Sequence, residues 1–167
     1  MRARLRRAEE LLGRVEGAAL AALLAVMVAL AFAQVVLRWF DKGLFWADIL
    51  LKQLVMWTGF LGAALAARDE KHFAWEAAHA GAPERLRPWL RLLAALAGAA
   101  VCVLLAQAAW QYTADDRSSG DVLMTVARVS VPSWVASAGI PAGFSLIAAH
   151  LLFKAADAAA ELLGGRA

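Results

Sequence analysis

The sequence predicts an all-α membrane protein with four transmembrane helices and both termini in the cytoplasm. Of its 167 residues, 62% are hydrophobic, whereas soluble proteins have about 45–50%. The apolar residues form four runs without Asp, Glu, Lys or Arg: Gly17–Leu37, Gln53–Ala67, Leu92–Ala114 and Val129–Phe153. About 20 helical residues cross a bilayer core. We therefore expect one domain over residues 1–167, with spans at about 17–37, 49–67, 90–112 and 130–153.

Helices are expected rather than strands in these runs. The runs are rich in Ala and Leu, which favour helices, and they lack the period-2 alternation of a strand. A helix also satisfies its backbone hydrogen bonds internally in lipid, which an open sheet does not do. The sequence therefore gives no indication of strands in the spans.

The spacing of apolar residues over residues 1–16 predicts an amphipathic helix ahead of the first span. Leu5, Leu12 and Val15 fall on one helical face, and most of the arginines fall elsewhere. A basic amphipathic helix binds an anionic lipid surface. A solvated helical tail is the alternative that the sequence leaves open.

The second span needs residues beyond its uncharged run of 15 residues. It includes Ile49–Lys52, since the long side chain of Lys52 can reach the headgroups. Between the first two spans, Arg38–Asp48 is short and aromatic, which predicts an interfacial helix or turn. The segment Asp115–Val126 contains Ser118-Ser119-Gly120 and is expected to be an exposed turn.

Proline and glycine mark the fourth span. Pro141 removes a backbone hydrogen bond and should kink the helix. Gly139 and Gly143 form a G-x-x-x-G pattern, which lets another helix approach closely. That helix could belong to this chain or to a partner.

Positive charge sets the predicted orientation. The N-terminal tail, the loop between spans two and three and the C-terminal tail carry twelve lysines and arginines, whereas the two opposite loops carry four. Cytoplasmic loops of membrane proteins are rich in Lys and Arg. Both termini are therefore expected in the cytoplasm.

The charges exclude several functions. They lie at helix ends, where membrane lipids are the expected contact. They do not form the soluble basic face that nucleic-acid binding would need, so we expect no nucleic-acid partner. No Asp or Glu lies inside an uncharged run, although proton relays and many ion pathways require such groups. We expect no enzyme activity, no metal site and no bound cofactor. His72 and His150 near the same helix ends leave one alternative, a haem- or quinone-linked membrane anchor of a redox enzyme.

Asp48 and Lys52 stand four residues apart with the acid first, which is a favourable spacing for an ion pair within one helix. This pair could simply neutralise itself at the membrane interface.

Several short patterns occur in an order that resembles the small membrane (Q) subunit of tripartite ATP-independent periplasmic (TRAP) transporters. The resemblance covers about residues 20–155 and is densest from Gln34 to His72. Its parts are Gln34-Val-Val-Leu-Arg38, Trp46-Ala-Asp48, Lys52, Trp57, Phe60-Leu61-Gly62-Ala63-Ala64, Arg68-Asp-Glu-Lys-His72, Val131-Pro132-Ser-Trp134 and Ile140-Pro141-Ala-Gly143-Phe144. One departure is that Ile49 follows Asp48, where the family often has a second acid, and that Lys52 replaces an arginine.

The resemblance implies an accessory role in the bacterial inner membrane. In that family a large multi-span subunit carries Na⁺ and substrate, and a periplasmic protein delivers the substrate, typically an organic acid anion. The small subunit is a scaffold beside the large one. On this basis we expect the subunit contacts to include Gln34, Arg38, Trp46, Asp48, Lys52, Trp57, Arg68, His72, Gly139 and Gly143.

Overall fold

The computed structural model describes residues 2–69, 86–126 and 128–164, and this part of the chain is mainly helical. Four segments are long and apolar enough to cross a membrane: Glu10–Trp39, Phe45–Arg68, Arg87–Ser119 and Ser133–Ala160. The predicted four-span all-α fold is thereby confirmed. The helices and strands in chain order are α1 (Arg2–Trp39), α2 (Phe45–Asp69), α3 (Arg87–Ser119), β1 (Val122–Val126), β2 (Val129–Pro132), α4 (Ser133–Ser137) and α5 (Gly139–Gly164).

Helix α1 joins the expected N-terminal helix and the first span without interruption. The helix runs on through residue 16 because neither a proline nor a capping residue interrupts the backbone hydrogen bonds there. After α1, a short turn through Asp41, with φ of +54°, leads into α2. The connection is thus a turn, one of the two forms expected.

The β1–β2 hairpin corrects the expectation of a turn followed directly by a helical span. Its strands are antiparallel, with Thr125 opposite Ser130 and Val126 opposite Val129. Helix α3 ends at Gly120, whose φ of +71° suits a residue without a side chain. Val129–Pro132, which the apolar pattern assigned to the fourth span, pairs with β1 instead. Valine and threonine favour strands, and a hairpin can form here because it lies at the end of the spans.

A kink was expected at Pro141, but the fourth span is interrupted three residues earlier, at Ala138. This residue separates α4 from α5, and its N–H donates to the Trp134 carbonyl at 2.9 Å. Pro141 lies in the first turn of α5, where a helix does not need its missing N–H. The proline therefore starts the longer helix of the span and does not bend it in the middle.

The four spans form an open row in the order α1, α2, α5, α3. Helix α5 packs extensively on α3 and also on α2, whereas α1 packs on α2 and meets α5 only slightly. In the apolar window of the fourth span 39% of residues are buried, against 6–11% in the other three. We call the end with the β hairpin the hairpin end, and the end where α1 begins and α5 finishes the terminal end.

A regular seam joins α1 to its neighbours. Its residues recur at alternating steps of three and four, the spacing typical of left-handed helix packing. They are at least half-covered, while apolar side chains between them, such as Leu24, Val28 and Phe32, are exposed. The seam consists of Glu16, Leu20, Leu23, Met27, Leu30, Gln34 and Leu37.

Exposed aromatic side chains mark both the hairpin end and the terminal end of the spans. Trp39 and Trp110 are 80% and 69% exposed at the hairpin end, and Trp89 is 58% exposed at the terminal end. Such rings favour the membrane–water interface. Their positions indicate where the two lipid surfaces meet the protein.

Candidate functional site: polar junctions at both ends of the spans

A polar clamp joins α1 to α2 at the hairpin end. The Gln34 amide donates to Asp48 Oδ1 at 3.1 Å and to the Leu44 carbonyl at 3.3 Å. Arg38 Nη2 lies 3.6 Å from Asp48 Oδ2. Gln34 is buried, whereas the Arg38 and Asp48 side chains are 67% and 50% exposed. The exposed ion pair therefore contributes at most about 1 kcal/mol, and the buried amide provides most of the specificity.

The structure brings together three of the predicted interface residues in this clamp, and Lys52 is not among them. Asp48 bonds across to α1, whereas Lys52 is exposed and makes no ion pair within the described part of the chain. The pairing of Asp48 with Lys52 within one helix, considered from their spacing, is therefore not the one that forms. Trp46, which stands two residues before Asp48 in α2, is half-buried.

Trp57 and Gly139 lie against each other between α2 and α5. The Trp57 indole N–H donates to the Ala136 carbonyl at 3.2 Å, next to the helix break. A Cβ added at Gly139 would lie 2.7 Å from Trp57 Cε2, which is too close for two carbon atoms. Gly139 is therefore needed for the indole to fit.

Phe60 covers Gly143 in the same way, one turn further along. A Cβ at Gly143 would overlap the Phe60 side chain, and Phe60 packs edge-on against Phe144 with ring centroids 5.1 Å apart. The G-x-x-x-G pattern thus serves packing within this chain, one of the two possibilities left open. Trp57 and Phe60 of this chain cover Gly139 and Gly143, and a contact of these glycines with a partner subunit stays a prediction.

A second polar cluster fixes α4 to α3, and sequence reasoning missed it. Ser133 Oγ donates to Asp116 Oδ1 at 2.6 Å, and Ser137 Oγ lies 2.7 Å from Oδ2 of the same carboxylate. The Ser133 N–H donates to the Asp121 carbonyl at 2.9 Å. The signal available in the sequence was a pair of serines four residues apart, Ser133 and Ser137, together with Asp116 just after the third uncharged run.

Arg117 stacks above Trp134 next to this cluster. Its guanidinium carbon is 5.2 Å from the ring centroid, a cation–π contact between α3 and α4. The contact helps to hold the short α4 on α3.

At the terminal end, Glu16 of α1 meets His150 of α5 in a buried pair that sequence reasoning did not predict. His150 Nε2 lies 3.0 and 2.8 Å from the two carboxylate oxygens. The side chains are only 3% and 0% exposed. Removal of one partner from such a pair costs about 3–5 kcal/mol, because the other is left buried and uncompensated. Glu16 adjoins the first uncharged run and His150 lies in the fourth, but 134 residues separate them.

Arg68 provides another contact at this end. Its guanidinium lies directly over Gly13 of α1, where any side chain would collide with it. The Arg68 side chain therefore packs on α1 at the terminal end of α2, and its role as an anchor stays a prediction. His72, predicted to act beside it, lies outside the described residues.

The geometry provides contacts between helices rather than a reaction centre. Among the described residues no group of three or more His, Cys, Asp or Glu could hold a metal ion. Binding of haem iron by His150 Nε2 would break the pair with Glu16. The polar side chains of the clamp, the Asp116 cluster and the Glu16–His150 pair bond to other helices of the same chain. The fold and its junctions thus define a four-span membrane protein whose polar groups hold its helices together.

A comparison with protein families identifies which membrane protein family this is. The family model described as "Tripartite ATP-independent periplasmic transporters, DctQ component" matches residues 27–161. The chain belongs to this family. The match confirms the resemblance and makes the protein a transporter component and not an enzyme. No curated protein matches the sequence.

Proposed function

We propose that this protein is the small scaffold subunit of a TRAP transporter in the bacterial inner membrane. It binds the large membrane subunit, which takes up an organic acid anion with Na⁺ after a periplasmic binding protein delivers it. Both termini, and hence the terminal end, face the cytoplasm. The observation that supports this role best is the open row of spans in a member of the DctQ family. A row leaves broad helix faces for a second membrane protein.

The face of α2 that points away from α1 and α5 is the proposed contact. Gly59 and Gly62 have no heavy atom within 4 Å of an added Cβ, whereas Gly13, Gly98, Gly139 and Gly143 are all covered by side chains. The exposed residues of this face are Lys52, Val55, Gly59, Ala63 and Ala66. Small residues let the backbone of a partner helix approach closely.

Lys52 adds charge to the hairpin end of this face. Because Asp48 bonds to Arg38 and Gln34, the Lys52 ammonium makes no ion pair among the described residues. A carboxylate of the large subunit near the membrane surface would compensate this charge. Arg38 and Trp46, beside the clamp, remain proposed contacts at the same end, whereas Trp57 is engaged with α5.

Co-purification with the large subunit tests this function. Gly59→Leu fills the open face and should lower the recovered complex at least tenfold, whereas Ala25→Leu, at an exposed position of α1, should leave it unchanged. Proteoliposomes with both subunits and the binding protein should take up organic acid anions only with an inward Na⁺ gradient. Full uptake by this chain alone would contradict the scaffold role. Unchanged complex with Gly59→Leu would contradict the α2 contact.

A further inference from the structure

The buried pair lies where α1 leaves the membrane. Helix α1 has 38 residues and is about 57 Å long at 1.5 Å per residue, while the hydrocarbon core is about 30 Å thick. With Trp39 at one lipid surface, Glu16 lies near the other. Residues 2–15, which we call the N-terminal arm, continue the same helix beyond that point.

We propose that Glu16 and His150 form a latch that fixes the direction of the N-terminal arm. Helices α1 and α5 otherwise meet only slightly, so the two short contacts of His150 Nε2 with the carboxylate are the main tie between them. The Arg68 guanidinium of α2 also packs on α1, over Gly13, three residues before Glu16. Two contacts from two neighbouring helices, one turn apart, determine where the arm points.

In this pair His150 uses only one of its two ring nitrogens, Nε2. Two placements of the shared proton keep it neutral, a carboxylate with an imidazolium or a carboxyl with a neutral imidazole. In both, the second imidazole proton lies on Nδ1. Within the described part of the chain, His150 Nδ1 is buried and has no hydrogen-bond partner, and the His150 and Glu16 side chains are 0% and 3% exposed. These buried surroundings favour a role of the pair in holding α1 and α5 together.

Electron–electron distance measurements between spin labels test the latch on this chain alone, independently of the proposed function. The labels are attached at Glu10→Cys on the arm and Ala156→Cys on α5, both exposed, with Cys102, the one native cysteine, replaced by alanine. The distance distribution should be narrow, and Glu16→Ala or His150→Ala should at least double its width. The exchanged pair E16H/H150E should restore the narrow distribution. Gln34→Ala, which loosens the opposite end of α1, is the matched control and should leave the width unchanged.

Two outcomes overturn the latch. One is an unchanged width with Glu16→Ala. The other is loss of transporter uptake with Glu16→Gln while this width and subunit assembly are unchanged, which would make the pair an ion-handling group. If the alanine variants do not accumulate in the membrane, Glu16→Gln decides, because it keeps the shape and one hydrogen bond and should give an intermediate width.

Discussion

The glycines of α2 and α5 allow a matched test of the packing. Gly143→Ala adds one methyl group against Phe60, whereas Gly59→Ala adds the same group where no heavy atom lies within 4 Å. Both exchange glycine for alanine inside a helix, so the difference in helix propensity is nearly the same for both. The difference between the two variants therefore reports the collision with Phe60.

The expected difference is about 1–3 kcal/mol in the free energy of unfolding, with Gly143→Ala less stable, which is the usual range for an overfilled core. Phe60 cannot turn away freely, because its ring packs on Phe144 at 5.1 Å. Reversible unfolding of the isolated chain in mixed micelles measures this difference. Phe60→Leu combined with Gly143→Ala should recover part of the loss, since a smaller side chain makes room. Equal stability of Gly143→Ala and Gly59→Ala would refute the packing described for α2 and α5.

Three further predictions concern the junctions and the orientation. Asp116→Ala should lower the unfolding free energy by about 1–3 kcal/mol, since it leaves hydroxyl groups without their acceptor, and micelle unfolding measures this. In the same assay Lys52→Ala should change the unfolding free energy by less than about 0.5 kcal/mol. A larger loss would mean that Lys52 has a partner within the chain. Asp48→Ala should lower the unfolding free energy more than Lys52→Ala does. For orientation, a membrane-impermeant maleimide should label Asp121→Cys in intact cells and Glu10→Cys only after permeabilisation, and the reverse would place the termini outside.

The number and approximate place of the spans could be predicted from the sequence, because lipid demands long apolar helices wherever they pack. The four uncharged runs lie within the four spanning segments, apart from the first residues of the fourth run. Gln34, Arg38 and Asp48 were expected at a subunit contact; in the structure they bond to one another between α1 and α2, and their contact with a partner stays a prediction. Local patterns were sufficient for the spans.

The sequence does not reveal which helix is next to which. The partners Glu16 and His150 belong to opposite ends of the chain, and no local pattern connects them. The strands of the hairpin were missed because Val129–Pro132 continues an apolar run, and its pairing depends on β1 across a turn. The partners of Gly139 and Gly143 were left undecided for a similar reason, since a small-residue pattern shows that a helix comes close but not which one.

The central place of α5 has a consequence for biosynthesis. Ribosomes make this span after the other three described here, yet α3 is held to the row mainly through it. Glu16, Trp57 and Asp116 all enter the membrane or its surface before the residues that satisfy them have been translated. While α5 is still inside the ribosome, the nascent chain therefore holds three helices that lack the helix packed between α2 and α3, and Glu16 has no histidine beside it.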